Sequence, residues 1–314
     1  MSPLLPKGAP ADSIFGLTQF LFWTALAVFV VVMAALAYAV LRPRASGHDE
    51  GDAAPDDRRR MTRVVVVGVA VTTLILFAHL GVSFATDRAM AEVEAPDAMQ
   101  IQVVGHQWWW DVTYQDTVPS NQLRTSNEIH VPVGRAILLK MSSRDVIHSM
   151  WIPNLHGKKD LIPGHWTTTY FRADTPGVYR AQCAEFCGLQ HARMALWVVA
   201  HPQADFDRWY VNSLRPAQQP ADSVAQRGRE VFLAGSCTMC HTIRGTSAAS
   251  NVGPDLTHLG GRLSLAAGSL PNTRGHLQGW IANPHGVKPG VRMPANDLSP
   301  SDLNAIVRYL ESLK

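Results

Sequence analysis

Between residues 183 and 194 the chain reads Cys183-Ala184-Glu185-Phe186-Cys187-Gly188-Leu189-Gln190-His191-Ala192-Arg193-Met194, so two thiols, an imidazole and a thioether recur with three, three and two residues between them. A further imidazole, His148, lies 35 residues upstream of Cys183, in Asp145-Val146-Ile147-His148-Ser149-Met150-Trp151. Soft sulfur with imidazole selects copper over hard cations. Five such ligands are too many for one tetrahedral zinc. They suit two coppers bridged by two thiolates, each capped by one histidine. Sharing one electron over two metals keeps bond-length changes small and lowers the reorganisation barrier. A closed site with no open position serves electron transfer rather than substrate chemistry. Other readings use the same residues incompletely. A Cys2His2 zinc site of Cys183, Cys187, His148 and His191 leaves Met194 unused. A mononuclear blue-copper site leaves a cysteine over. Two disulfides would use all four cysteines of an exported chain but need neither histidine nor methionine.

A second redox signature is Cys237-Thr238-Met239-Cys240-His241. The C-x-x-C-H pattern reads as covalent c-type haem attachment, with two thioethers from Cys237 and Cys240 and His241 as the proximal iron ligand.

These residues need elements to hold them. The 314 residues suffice for more than one domain, and the net charge is +3. Charged residues make up 17% and hydrophobic ones 46%, with strong segregation along the chain. Basic residues are dispersed, which gives no footing for nucleic acid. Residues 14–41 and 64–86 lack Lys, Arg, Asp and Glu, and each is long enough to span a bilayer. The first is too long for the apolar core of a signal peptide. Arg42, Arg44, Arg58, Arg59, Arg60 and Arg63 lie between the two spans and only Lys7 precedes them. The positive-inside rule places that loop in the cytoplasm and everything after Asp87 outside it. Ala45–Asp57, acidic and rich in Gly, Pro and Ala, reads as flexible.

From residue 91 to 211 short β-rich runs alternate with turn residues, at 100–104, 108–114, 128–131, 136–142, 167–171, 177–182 and 195–199. That pattern predicts an all-β sandwich or barrel with no ordinary helix over 91–202. The candidate ligands fall at strand ends and loops, His148 after one strand and the others between the last two. Residues 212–222, with Pro216 and Pro220, read as a linker. Residues 223–314 begin with a helix over 223–234, leading into Cys237. They end with one over 299–313, whose apolar face is Leu303, Ile306, Val307 and Leu310.

The Cys183–Met194 run resembles the CuA motif of subunit II of haem-copper cytochrome c oxidases. Asp145–Pro153, Arg180–Met194 and Gly105-His106-Gln107-Trp108-Trp109-Trp110 all look like that family's signatures. The resemblance covers residues 14–202 and implies a two-helix transmembrane hairpin followed by a cupredoxin-like domain. By it, Cys183 and Cys187 bridge the coppers, His148 and His191 cap them, and Met194 is a weak axial ligand. Glu185 gives its carbonyl as the other axial ligand, and its carboxylate helps hold a Mg2+ or Mn2+ shared with subunit I. Trp108 matches the aromatic residue through which electrons arrive, with strand packing as the competing role. No acid lies at 60–67, so the family's proton-uptake glutamate is not carried over. The last segment resembles a small, all-α class I-like cytochrome c, as does Gly253-Pro254-Asp255-Leu256, whose proline is expected near His241. Met293 in Arg292-Met293-Pro294 resembles the distal methionine, with His258, His276, His285 and Met239 as rivals.

The resemblance implies the electron-input subunit of a caa-type oxidase in the bacterial plasma membrane, with both cofactor domains outside the cytoplasm. Electrons from a cytochrome c or similar donor would pass through haem c and CuA to haem a of subunit I, where oxygen is reduced and protons are pumped. Two alternatives stay open. One is the CuA-bearing subunit of a nitric oxide reductase. The other is a membrane-anchored electron carrier or copper-delivery protein without an oxidase partner. Quinol-oxidising relatives lack these copper ligands.

Overall fold

The computed structural model describes residues 2–42, 55–91 and 95–314. Helix α1 runs over Ala9–Leu41 and α2 over Pro55–Ala91. Both outrun the apolar stretches read from sequence, because a helix continues through the charged Arg58–Arg63 where only hydropathy stops. At a 1.5 Å rise the 33 residues of α1 extend about 50 Å, more than a bilayer core needs. The side chains of both apolar windows are unburied, as lipid-facing surface would be. The helices touch where Phe20 meets His79, ring centroids 4.8 Å apart. Most of the segment read as flexible, together with Arg44, lies outside the described residues; its last three residues, Pro55–Asp57, open α2.

The second compact unit comprises residues 1–12 and 93–314. Its first part is a sandwich of two five-stranded sheets. The strands are β1 (Met99–His106), β2 (Trp109–Tyr114), β3 (Leu123–Ser126), β4 (Glu128–Pro132), β5 (Ile137–Ser143), β6 (His148–Trp151), β7 (Lys158–Leu161), β8 (Thr167–Phe171), β9 (Gly177–Cys183) and β10 (Ala195–His201). One sheet has the order β3-β2-β1-β5-β8 and the other β4-β10-β9-β6-β7. Alternation sets the faces: Ile101 and Val103 of β1 and Trp110, Val112 and Tyr114 of β2 point into the core, with polar neighbours between them. Residues 2–8 belong to this body too. Lys7 N–H donates to Asn154 O at 2.7 Å, Asp174 N–H donates to Lys7 O at 2.9 Å, and Asn154 Nδ2 donates to Leu5 O at 2.8 Å. The segment entering α1 and the domain following α2 are thus tied together.

Three strands differ from the sequence expectation. β3, β6 and β7 were not foreseen, and His148 opens β6 rather than following a strand. β2 begins at Trp109, leaving Trp108 in the turn before it. Helix α3 (Gln203–Leu214) closes the sandwich and reaches into the segment read as a linker. Its Trp209 stacks on His130 at 4.0 Å.

The remainder is helical around a small core. It holds α4 (Ser223–Ala234), the two-residue strands β11 (Ser264–Leu265) and β12 (Leu270–Pro271), α5 (Arg274–Ala282), the single turn α6 (Pro284–Val287) and α7 (Pro300–Ser312). Asp222 caps α4 by accepting from Ala225 N–H, and Ser299 caps α7 by accepting from Asp302 N–H. α4 and α7 cross at Gly228, where an added Cβ would sit 1.9 Å from Ala305 O. Only glycine permits that approach.

Candidate metal centre and haem-attachment site

Strand β9 ends at Cys183, and the chain returns to the same edge at Ala195 of β10. The base of this loop is clamped: Cys183 N–H donates to Met194 O at 2.9 Å, and Ala195 pairs with Gln182. On the other side of β9 lies β6, with Met150 opposite Cys183. That neighbour brings His148 to the site. Its Nδ1 lies 3.9 Å from Cys183 Sγ. Within the loop, a tight turn over His191–Arg193 sets His191 Nδ1 3.7 Å from Cys187 Sγ. The sulfurs are 3.8 Å apart, and Met194 Sδ is 3.9 Å from Cys187 Sγ. Cys183 Sγ lies 3.3 Å from Glu185 O, while the Glu185 side chain is exposed. Cys183, Cys187, His148 and Met194 are buried.

Among the described residues, ligand atoms within 4.8 Å of one another come from His148, Cys183 and Cys187; His191 lies outside that group, at the Cys187 end. One histidine at each end and two sulfurs in the middle is the layout for two metals sharing thiolates. A single tetrahedral ion would gather all four nitrogen and sulfur atoms at once. The four cysteines are free, so neither pair is a disulfide.

Supporting groups fix the ligands. Asp145 Oδ1 accepts from His148 Nε2–H at 2.9 Å, which leaves Nδ1 bare toward the sulfurs. Asp145 also accepts from Gln107 N–H at 2.8 Å and Val146 N–H at 2.9 Å. Burial pushes its carboxyl up, but the hydrogen bonds from His148, Gln107 and Val146 outweigh it and hold the group at about 2. Burial lowers His148, yet its bonds to Asp145 and Cys183 raise it overall. The close thiols share their protons unequally. The hydrogen bond from Cys187 favours Cys183 as the thiolate, and that same bond pushes Cys187 up. A bound cation removes both protons. Cys187 O accepts from both Gln107 Nε2 and Trp108 Nε1, each at 2.9 Å. Gly188 follows with φ of +106°, and an added Cβ there would meet Gln107 Nε2 at 3.1 Å and Trp108 Cζ2 at 3.2 Å. The roles of Asp145 and Gln107 escaped the sequence reading, although an acid three residues before a ligand histidine is a usable signal.

In the helical part, Cys237 and Cys240 lie on and after a tight turn over Ser236–Met239, half-buried. His241 N–H donates to Cys237 O at 3.0 Å. His241 Nδ1–H donates to Pro254 O at 2.8 Å, so the expected proline contact is present and Nε2 is left for a metal. Burial pushes His241 down, which suits a neutral ligand. Met293 is half-buried on the irregular stretch between α6 and α7. Of its rivals, His258 Nε2 bonds Arg215 O and His276 Nδ1 bonds Thr273 Oγ1, while His285 and Met239 are exposed. Two free thiols beside an oriented histidine fit a covalently held haem, and the soft donor set fits copper.

Residues 118–201 match the family described as Cytochrome C oxidase subunit II, periplasmic domain, and residues 225–314 match Cytochrome c. Cytochrome c oxidase subunit 2 of Alkalihalophilus pseudofirmus is 32% identical over 323 residues, covering 100% of this chain and 91% of the relative. Its counterpart in Bacillus sp. (strain PS3) is 31% identical over 68% of this chain and 62% of the relative. The solved periplasmic domain of subunit II of cytochrome oxidase from Bradyrhizobium japonicum is 29% identical, with a TM-score of 0.36, over 38% of this chain and 96% of that one. With two apolar helices, a cupredoxin-like sandwich and a helical C-terminal domain in one polypeptide, the chain belongs to the cytochrome c oxidase subunit 2 family, as a member that carries a cytochrome c domain behind its periplasmic domain.

Proposed function

We propose that this chain is the electron-input subunit of a proton-pumping oxidase of the caa type. The observation that carries the reading is the pair of buried sulfurs 3.8 Å apart with one histidine at each end. Bound there, a copper pair supplies one-electron chemistry between haem c and haem a of subunit I, where oxygen is reduced to water.

The chain's own residues hold and orient. Cys183, Cys187, His148, His191, Met194 Sδ and Glu185 O would together hold the copper pair. The Glu185 carboxylate, exposed on the loop, would help hold a Mg2+ or Mn2+ shared with subunit I. Asp145 keeps His148 in the tautomer that ligates through Nδ1. Cys237 and Cys240 would hold the haem covalently, and His241 through Nε2 and Met293 would hold its iron. Trp108, hydrogen-bonded to Cys187 O, is the aromatic route to the copper loop. The external partner is a cytochrome c or similar donor. The tie between residues 2–8 and the sandwich supports a hairpin whose two ends lie on one side of the bacterial plasma membrane.

The test is metal and haem content of the full chain, matured with both, with electron paramagnetic resonance on the same sample. Two coppers and one haem, with one unpaired electron spread over both coppers, is the expected result. One zinc, or one copper with a localised electron, would overturn the binuclear reading.

A further inference from the structure

The haem and copper domains form one compact unit, and two buried ionisable side chains cross their seam in opposite directions. From the copper side, Glu128 of β4 accepts from Leu263 N–H of the haem domain at 2.6 Å. From the haem side, Lys288, 1% exposed, donates from Nζ to Trp108 O at 3.0 Å, Arg193 O at 2.8 Å and Ala266 O at 3.1 Å. An ammonium has three donors, and all three are answered. Two of the acceptors belong to the copper domain and flank its ligands: Trp108 braces Cys187 O, and Arg193 lies between His191 and Met194. A buried ammonium is costly unless so compensated, and only docking assembles this cage.

The residues after Lys288 rest on the same surface. Pro289 O accepts from Gln190 Nε2 at 2.8 Å. Gly290 lies so close that an added Cβ would be 3.1 Å from Leu189 Cδ1 and 3.7 Å from Trp108 Cη2. Val291 packs against the sandwich core. The stretch that carries Met293 is therefore seated on the indole that supports the copper loop. Further bonds complete the seam, from Ala195 N–H to Ala267 O at 3.0 Å and from Trp197 Nε1 to Ser264 Oγ at 2.9 Å.

We propose that Lys288 is a positioning residue for electron transfer from the haem domain to the copper centre, locking the haem domain in one pose with Lys288–Gly290 seated on Trp108. The proposal rests on the electron-input reading above. In this pose Trp108 is covered by the chain's own domain and closed to a soluble donor, whose electrons must then arrive through the fused haem.

The test uses the full, cofactor-loaded chain and the variant Lys288→Met, which keeps the length and removes the shared donor, leaving Trp108 O and Ala266 O unanswered while Arg193 O keeps Ser269 Oγ–H. Two readouts are taken: hydrogen exchange at residues 193–195 and 263–267, and the rate of haem-to-copper transfer after flash reduction of the haem. Exchange should rise in both segments and the transfer rate should fall roughly tenfold or more, as expected for losing hydrogen bonds from a charged group. Haem reduction by a small reductant and the copper spectrum should not change. Unchanged exchange, or faster exchange with unchanged transfer, would overturn the positioning role. If Lys288→Met does not load its cofactors, Lys288→Gln, which stays polar but has too few donors for the three carbonyls, carries the same two readouts, with the same outcomes deciding. A wild-type chain whose reduced haem never passes its electron to copper would sink the electron-input reading itself, and the positioning role with it.

Discussion

Asp145→Asn isolates the support of one candidate copper ligand, His148, from the ligand itself. The carboxylate accepts three hydrogen bonds, from His148 Nε2, Gln107 N and Val146 N. An asparagine keeps the shape but has one acceptor oxygen, so its amide nitrogen must face either His148 or Gln107, both donors. Losing a hydrogen bond to a charged acceptor costs about 1.5–3 kcal/mol. Removing a group that orients a metal-bound histidine lowers metal affinity by about 10- to 100-fold, which is about 1.4–2.7 kcal/mol, so the two routes agree. Copper competition against a chelator measures this directly. The same carboxyl also leaves a pH signature. Its folded value of about 2 lies below the ordinary 3.8. Its contribution to stability is therefore full above the ordinary value and disappears as pH falls through about 2. That interval corresponds to about 1–2 kcal/mol after discounting for solvent screening. Thermal unfolding of the copper-free chain between pH 5 and 2 should show the loss in the wild type and not in the variant. A variant that holds copper as tightly as the wild type, with the same acid profile, would refute the account of Asp145.

Gly188→Ala places a side chain at φ +106° against Gln107 and Trp108; it should cost about 1–3 kcal/mol, read as a lower thermal midpoint and faster copper loss, and an unchanged midpoint would deny the tight loop packing. Gly228→Ala puts a methyl 1.9 Å from Ala305 O and should destabilise the haem domain by about 3 kcal/mol, measured as a shifted denaturant midpoint of its helical signal while the copper spectrum persists. Replacing Cys237 and Cys240 together by alanine should abolish haem that survives denaturing electrophoresis and leave copper content unchanged; retained haem staining would contradict covalent attachment there.

The candidate ligands could be picked out because most of them sit close together in sequence and their types are chemically selective, and the structure brings ligand atoms of His148, Cys183 and Cys187 within 4.8 Å of one another. The strands that alternate cleanly were legible too, β8 to the residue. β7 was not, since Lys158, Lys159 and Asp160 are all exposed and give no alternation. β6 is four residues whose first is a metal-ligand candidate, too short for a periodic signal. α3 was hidden because its Phe206, Trp209 and Tyr210 follow strand-like text and precede proline-rich text. What surrounds the ligands was harder. Gln107 reaches Cys187 across 80 residues and Lys288 reaches Trp108 across 180. No local pattern encodes such pairings, which depend on β1, β6 and β9 meeting at one end of the sandwich and on the haem domain docking there.

The arrangement explains why an electron-transfer site is placed at a strand end rather than in a free loop. Three of the candidate ligands are held from different directions: Cys183 by the β9–β10 clamp, His148 by β6 and Asp145, Cys187 by two side-chain donors on its carbonyl. None of these holds requires the metal. A cage whose geometry is set by hydrogen bonds to the fold relaxes less when the charge at its centre changes, which, on the proposed electron-input reading, would keep the reorganisation barrier small. The same logic extends to the second domain. A haem on a freely swinging tether would sample many distances to copper and transfer from few of them. Reciprocal buried groups, Lys288 in one direction and Glu128 in the other, convert the tether into a fixed spacing, and two of the three carbonyls that answer Lys288 are supplied only by docking.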